Sequence, residues 1–144
     1  MFFDNGLSFE CQKCSSCCRH EPGAVFLRKG ESEKIADFLG INVRDFYRSF
    51  CRLLWSGEGD RVSLREKSNY DCIFWQEGGC GIYPVRPIQC QTYPFWPHIL
   101  ESHSAWKEES ERCPGIGKGV LFSSDEILRR LEMMKGEFSD GSEF

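Results

Sequence analysis

The sequence predicts a small, irregular, cysteine-rich α+β domain with about three helices and one short β-hairpin. Nine cysteines fall in a chain of 144 residues, and four of them lie within Cys11–Cys18. Three other segments carry apolar residues at the helical period, and two short segments around a Gly-Gly turn have strand-forming composition. Because these elements are short and the cysteines are clustered, we do not expect a doubly wound parallel sheet.

Length and composition indicate one globular domain over residues 1–136 and a polar, acidic, disordered tail over residues 137–144. The net charge of −4 and the pI near 5.4 argue against a general nucleic-acid binder, which carries a basic face. No apolar run approaches the roughly 20 residues of a membrane helix. The N-terminus also lacks the pattern of a signal peptide. We therefore expect a cytoplasmic protein without nucleic-acid or membrane partners.

Two helices are predicted in the first half of the chain. The first covers residues 31–39, ends at Gly40 and has on one face Ile35, Phe38 and Leu39. Asn42 is placed to cap a second helix over residues 43–55. The apolar stripe of that second helix consists of Phe46, Phe50, Leu53 and Leu54.

Strand signals follow the second helix. Residues 61–65 alternate between polar and apolar side chains, which is typical of a half-buried strand. Residues 71–75 and 80–83 suit two further strands on either side of the Gly-Gly turn. This predicted hairpin brings Cys72 near Cys80.

Prolines dominate residues 84–97 and exclude a long helix or a central strand there. A short helical turn beginning at Pro87 would present Cys90 inward. Residues 101–112 are polar and suit either a helix or a strand.

The third helix is predicted over residues 123–136. Ser123 and Glu126 form the capping-box pattern at its start. Its apolar face consists of Ile127, Leu128, Leu131 and Met134.

The cysteines carry the chemistry that this sequence predicts. In a reducing compartment, thiols are ligands or catalytic groups more often than disulfides, and the thiolate is the form that binds metal. Cys51 stands apart in spacing and is interpreted as a buried thiol that binds no metal. The predicted metal ligands are therefore Cys11, Cys14, Cys17, Cys18, Cys72, Cys80, Cys90 and Cys113.

The spacing of these ligands indicates two centres. Cys-x₂-Cys-x₂-Cys followed by a distant Cys-Pro is the spacing of bacterial [4Fe–4S] ligands, and Cys113-Pro114 supplies that pair. Adjacent side chains point in different directions, so Cys17 and Cys18 are assigned to different centres. The first centre takes Cys11, Cys14, Cys17 and Cys113. The second takes Cys18, Cys72, Cys80 and Cys90.

Zinc fits the same thiols as well as iron does, because Cys₄ zinc sites are common and purely structural. Redox dithiols are a third interpretation. The histidines His20, His98 and His103 are weaker ligand candidates than the cysteines. Tyr83 and Arg86 would surround the sulfurs as supporting side chains. Residues 115–119 are rich in glycine but do not match a phosphate-loop spacing.

The cysteines and their neighbours form a combined motif: Cys11-x₂-Cys14-x₂-Cys17-Cys18, Cys72-x₇-Cys80-Gly-Ile-Tyr83, Arg86-Pro87-x₂-Cys90-x₂-Tyr93-Pro94 and Cys113-Pro114-Gly115. Over residues 9–119 this motif resembles the CxxCxxCC, or YkgJ-like, family of zinc- or iron-chelating domains. The resemblance implies a zinc or iron–sulfur cofactor, and Cys51 lies outside its pattern. Flagellin lysine methylases carry a similar cysteine motif within longer chains. This chain shows no separate methyltransferase domain, so that activity is not carried over.

Two hypotheses of function follow. In the first, the chain is a metal-binding protein with an iron–sulfur centre, favoured as [4Fe–4S], that supports redox or cluster-dependent enzymatic chemistry. In the second, it is a zinc-stapled interaction module without catalysis, whose exposed aromatic side chains dock a protein partner. Those aromatic side chains are Tyr93, Phe95 and Trp96. The sequence leaves open whether the protein is an enzyme.

Overall fold

The structure is a computed structural model that describes residues 1–11 and 24–142. In chain order its elements are β1 (Leu7–Phe9), α1 (Glu31–Leu39), α2 (Val43–Phe50), β2 (Cys51–Trp55), β3 (Asp60–Leu64), β4 (Trp75–Gln76), β5 (Gly79–Cys80), a 3₁₀ turn (Tyr83–Val85), α3 (Ile88–Thr92), α4 (His103–Glu109), β6 (Ile116–Phe122) and α5 (Ser124–Met133).

The described residues form five α-helices and three two-stranded antiparallel sheets. The mixed α and β content is confirmed, but the expected number of three helices is wrong. The two additional helices are short. Helix α3 follows Pro87, and α4 begins where the Ser102 hydroxyl accepts from the Ala105 N–H at 3.0 Å. No helix within the two described ranges is long and apolar enough to cross a membrane.

The chain divides into two compact units. The described residues of the first unit are 1–11 and 92–135, and those of the second are 24–91 and 136–142. Each cysteine that the structure describes belongs to one of the two units, and Cys11 and Cys113 belong to the first.

The first unit packs an aromatic core beneath a two-stranded sheet. The fully buried Phe95 stacks on Trp106 with ring centroids 5.7 Å apart and meets Phe122 at 5.1 Å. Strand β1 pairs with β6 in antiparallel register, and the register shifts by a bulge between Ser8 and Phe9. The bulged residues of β6 include the Gly-Lys-Gly run, which therefore lies within a strand and not in a phosphate loop.

Helix α5 of the first unit confirms the predicted cap. The Ser123 hydroxyl accepts from the Glu126 N–H at 3.2 Å, as an N-cap should. The Glu126 carboxylate accepts from the Arg129 guanidinium at 2.6 Å and from Arg130 at 3.3 Å. The helix itself ends at Met133, three residues before the predicted end.

In the second unit, α1 has the predicted bounds. Gly40 follows it in the left-handed conformation, and its N–H donates to the carbonyls of Ala36 and Asp37. Asn42 caps α2 as predicted, because its side-chain oxygen accepts from the Asp45 N–H at 2.8 Å.

The predicted helix over residues 43–55 is wrong in its second half. Helix α2 ends at Phe50, and residues 51–55 form strand β2, which pairs with β3 from Cys51–Leu64 to Trp55–Asp60. Burial decreases along β2, from Cys51, which is 2% exposed, to Trp55, which is 72% exposed. The pairing partner lies beyond a tight Gly-containing turn, and it overrides a local apolar pattern that also fits a helix.

The predicted strand near residues 61–65 is present as β3. The predicted hairpin of residues 71–75 and 80–83 is shorter than expected. Only Trp75–Gln76 and Gly79–Cys80 pair. Cys72 lies before the hairpin and forms an isolated bridge with Glu66.

Residues 137–139, which the sequence places in a disordered tail, make regular backbone hydrogen bonds in the second unit. The Ser139 N–H donates to the Leu27 carbonyl, and the Val62 N–H donates to the Ser139 carbonyl, both at 2.9 Å. Phe138 packs against the guanidinium groups of Arg28 and Arg61 at 4.2 and 3.8 Å. Ser139 is 1% exposed, so this short stretch completes the second unit.

Candidate metal centre

In the first unit, the segments that carry Cys11 and Cys113 lie side by side. Phe9 pairs with Ile116, and the Glu10 N–H donates to the Gly115 carbonyl at 3.0 Å. Since the strands are antiparallel, Cys11 continues toward the residues that precede Gly115.

Gly115 permits this close approach. A β-carbon at this position would lie 2.0 Å from the carbonyl oxygen of Glu10, which is far inside contact distance. The Cys-Pro-Gly sequence therefore has a structural reason for its glycine. Cys113 itself is 5% exposed, and its N–H donates to the Glu109 carbonyl at the end of α4. Cys11 is exposed.

In the second unit, Cys72 and Cys80 are half-buried and pack against the core. The carbonyl of Cys72 accepts from the Trp75 N–H at 2.9 Å, and Trp75 pairs with Cys80 across the hairpin. The Gly81 N–H then donates to the Phe74 carbonyl at 2.8 Å. This chain of contacts connects the two cysteine segments through one turn and one strand pair.

Cys90 is also half-buried in the second unit and lies on α3. Two side chains hold the start of this helix. The carboxylate of Glu31 accepts from the Ile88 N–H at 2.5 Å. The side-chain amide of Gln89 binds the backbone of residues 24 and 26.

Glu31 is a buried carboxylate, 7% exposed, with two backbone donors. Its other oxygen accepts from the Arg28 N–H at 2.8 Å. Burial raises the pKa of Glu31 above its usual range, against the opposing effect of those two hydrogen bonds and of the nearby Arg28 charge. Sequence reasoning missed Glu31 and Gln89, because a first-turn acid and a glutamine look like ordinary surface residues.

The remaining predicted ligands Cys14, Cys17 and Cys18 lie outside the described residues, as does His20. Within residues 1–11 and 24–142, no three His, Cys, Asp or Glu side chains come close enough together to hold a metal ion. The described part of the chain therefore supplies two groups of thiol-bearing segments. One holds Cys11 and Cys113, and the other holds Cys72, Cys80 and Cys90.

Cys51 is a free thiol in the core of the second unit, and its predicted burial is confirmed. Burial raises the pKa of Cys51 to about 12, and the nearby Arg65 charge opposes that rise. The thiol therefore stays protonated at neutral pH, in which form it is a poor ligand and a poor nucleophile.

Other side chains singled out from the sequence have mainly packing roles in the structure. The guanidinium of Arg86 stacks on the ring of Tyr83 at 3.8 Å. His98 and His103 contact the rings of Trp96 and Phe2.

The predicted exposure of the aromatic docking surface is wrong at its centre, because Phe95 is fully buried. It faces Trp106 and Phe122 in the core of the first unit.

The donor set suits a soft metal. Cysteine thiolates select zinc, Cu(I) or iron–sulfur clusters over magnesium and calcium, which take oxygen ligands. Among the described thiols, Cys80 lies in strand β5 and Cys90 on helix α3, whereas Cys11, Cys72 and Cys113 lie outside the helices and named strands.

A family model described as "CxxCxxCC: Putative zinc- or iron-chelating domain" matches residues 10–114. The uncharacterized protein MJ0939 of Methanocaldococcus jannaschii is 23% identical over 143 aligned residues, which cover 94% of this chain. The chain spans about half of that relative's length, 46%. No solved structure matches significantly. The matched residues make up well over half of the chain and include all eight predicted ligands. The chain therefore belongs to the CxxCxxCC family of zinc- or iron-chelating domains.

Proposed function

We propose that the chain binds an iron–sulfur centre, of the [4Fe–4S] type, through Cys11, Cys14, Cys17 and Cys113. The observation that carries this proposal is the hydrogen bond between Glu10 and Gly115, which sets the segments of two of these ligands side by side. The Cys-x₂-Cys-x₂-Cys spacing and the distant Cys-Pro pair support it further. When bound, such a centre supplies one-electron transfer or cluster-dependent enzymatic chemistry.

We assign the second group of thiols to a separate centre, with Cys18, Cys72, Cys80 and Cys90 as ligands. The last three belong to the same compact unit, and Cys72 and Cys80 also pack on its core and are connected through the Trp75 hairpin. A closed set of four thiolates in this unit suits zinc, or a second redox centre.

The alternative is a zinc-stapled docking module. Its main support was an exposed aromatic surface, and the burial of Phe95 removes that support. A zinc role remains testable in its own right, because zinc and iron–sulfur centres share the same ligands.

Elemental analysis tests the proposal. On protein made and kept without oxygen, we expect iron and acid-labile sulfide at about four each per chain, as one [4Fe–4S] cluster requires. Zinc at two per chain with no sulfide would end the iron–sulfur proposal and leave two structural zinc sites.

A ligand variant and a bystander variant sharpen the result. Cys14→Ser should lose metal and unfold or aggregate, because thiolate–metal bonds contribute on the order of 10 kcal/mol to the folding of small domains. Cys51→Ser is the matched control and should keep its metal. Equal loss of metal from both variants would contradict the division into ligand and bystander.

A further inference from the structure

We propose that Gln89 is a positioning residue that fixes Cys90 for metal binding by holding α3 to the backbone of residues 24–26. This inference rests on the proposed function, because it assigns a role to a neighbour of one proposed ligand. It concerns the second unit alone.

The side-chain amide of Gln89 uses both of its ends. Its oxygen accepts from the Phe26 N–H at 3.0 Å, and its nitrogen donates to the Ala24 carbonyl at 2.7 Å. A donor and an acceptor two residues apart on an extended segment are what a neighbouring strand would bond to. The amide therefore takes the place of a strand partner, and neither a carboxylate nor an apolar side chain can make both bonds.

The segment that Gln89 holds is fixed on its other edge by β3. The Leu27 N–H donates to the Val62 carbonyl and the Leu64 N–H donates to the Val25 carbonyl, both at 3.0 Å. The Leu27 N–H and the Val25 carbonyl thus face β3. The Phe26 N–H and the Ala24 carbonyl face Gln89. The extended segment lies between β3 and α3, so Gln89 connects the helix to a segment that β3 holds in place.

Helix α3 depends on tertiary contacts: Thr92 at its end is fully buried, and the side chains of Glu31 and Gln89 hold its start. It is five residues long, and isolated helices of that length are unstable. The Glu31 carboxylate anchors its first N–H, and Gln89 anchors the next residue to the extended segment. Cys90 follows directly, with its own N–H bonded to the Pro87 carbonyl at 2.9 Å. The side chains of Glu31 and Gln89 therefore hold the backbone segment that carries the Cys90 thiol.

The segment bound by Gln89 also continues the part of the chain that carries other proposed ligands. Cys18, assigned to the same centre as Cys90, lies six residues before Ala24 in the sequence. An anchor between Cys90 and this segment is of the kind that sets metal affinity, since residues that orient ligands change affinity by about 10–100-fold when removed.

Gln89→Glu tests the proposal. The carboxylate keeps an acceptor for Phe26 but presents an oxygen to the Ala24 carbonyl, where it repels. Gln91→Glu is the matched control, because it makes the same change on an exposed residue of the same helix. It also removes a donor from a carbonyl, that of Arg86 at 2.7 Å, but this bond is local, between residues five apart in the chain. Both variants and the unchanged chain are loaded with Co²⁺ without oxygen, and release to EDTA is followed through the thiolate-to-cobalt absorption.

We expect Gln89→Glu to release Co²⁺ about tenfold faster or more, with a shifted thiolate absorption band in the loaded protein. Gln91→Glu should release within about twofold of the unchanged chain, as expected for surface substitutions. Equal release from Gln89→Glu and the unchanged chain would overturn the proposal. Faster release with an unshifted band would also overturn it, because that result indicates general destabilisation.

Failure of the proposed function gives a different result. If the unchanged chain binds no Co²⁺, zinc or iron, the metal proposal fails, and the alkylation rate of Cys90 in the metal-free chain then tests the anchor. Faster alkylation of Cys90 in Gln89→Glu than in Gln91→Glu supports positioning by Gln89. Equal rates would rule it out.

Discussion

The paired segments that carry Cys11 and Cys113 and the helix that carries Cys90 are held by different kinds of contact. Near Cys11 and Cys113, the backbone of Glu10 contacts the backbone of Gly115 directly, and position 115 has no room for a β-carbon. Around Cys90, polar side chains reach across to backbone groups, as Gln89 and Glu31 do. A direct backbone contact is sensitive to volume, whereas a side-chain contact is sensitive to the number and kind of polar atoms.

Among the substitutions that probe these contacts, Gly115→Ala has the largest expected effect. The added β-carbon would meet the Glu10 carbonyl at 2.0 Å, and both partners are backbone, so strands β1 and β6 must separate locally. We expect a loss of about 3 kcal/mol in the free energy of unfolding, at the upper end for overpacking. Urea denaturation measures it.

Gly81→Ala is the control in the second unit. Its β-carbon would lie 3.3 Å from the Phe74 carbonyl, which small shifts can accommodate. The loss there should be well below that of Gly115→Ala. Equal losses would show that volume matters no more in the first group of segments than in the second.

The next effect is that of Glu31→Gln, which probes the polar contacts. One amide oxygen can replace only one of the two carboxylate acceptors, and the amide nitrogen would face the N–H of Arg28 or of Ile88. A buried donor without an acceptor costs about 1–3 kcal/mol. We expect a loss of that size by chemical denaturation.

Glu33→Gln makes the same change on the exposed side of α1 and serves as the control. Its free energy of unfolding should match that of the unchanged chain. If Glu31→Gln is equally neutral, the two backbone hydrogen bonds are not an anchor of α3.

Cys51 provides a smaller effect with a defined pH dependence. Its pKa is raised from 9.0 to about 12 by burial, so between these values the unfolded thiol loses its proton while the folded thiol keeps it. Stability should therefore fall as pH rises above 9, and part of this fall should vanish in Cys51→Ala.

Alkylation gives a second measurement on Cys51. In the folded chain at pH 8 this thiol should resist iodoacetamide, and in denaturant it should react fully. Rapid labelling of Cys51 in the folded chain, located by peptide mass spectrometry, would contradict its placement in the core.

The smallest expected effect concerns α5. The hydrogen bonds from Arg129 are the main cause that lowers the pKa of Glu126 to about 2; desolvation opposes them, and the charges of Arg129 and Arg130 add to the lowering. The stabilisation is therefore present above the ordinary pKa of 4.5 and is lost as pH falls from there toward 2. Glu126→Gln should remove this dependence, and salt should weaken it because the pair is at the surface. A pH profile unchanged by the substitution would argue against the ion pair.

Local signals in the sequence determined the helix caps and the cysteine motif. Asn42, Gly40 and Ser123 act within a few residues of their own positions, so their patterns could be read directly. The family motif likewise lies in the order and spacing of the cysteines. For the same reason, the sequence predicts a set of eight cysteine ligands, and both this set and its division into two centres stay predictions.

Tertiary structure alone decided which contacts support those cysteines. Strand β2 formed in place of a helix because a partner strand was available. Gln89 and Ser139 acquired partners more than 60 residues away in the chain. Phe95 was buried because Trp106 and Phe122 surround it. Each outcome depends on residues distant in sequence, and local propensity carries no information about them.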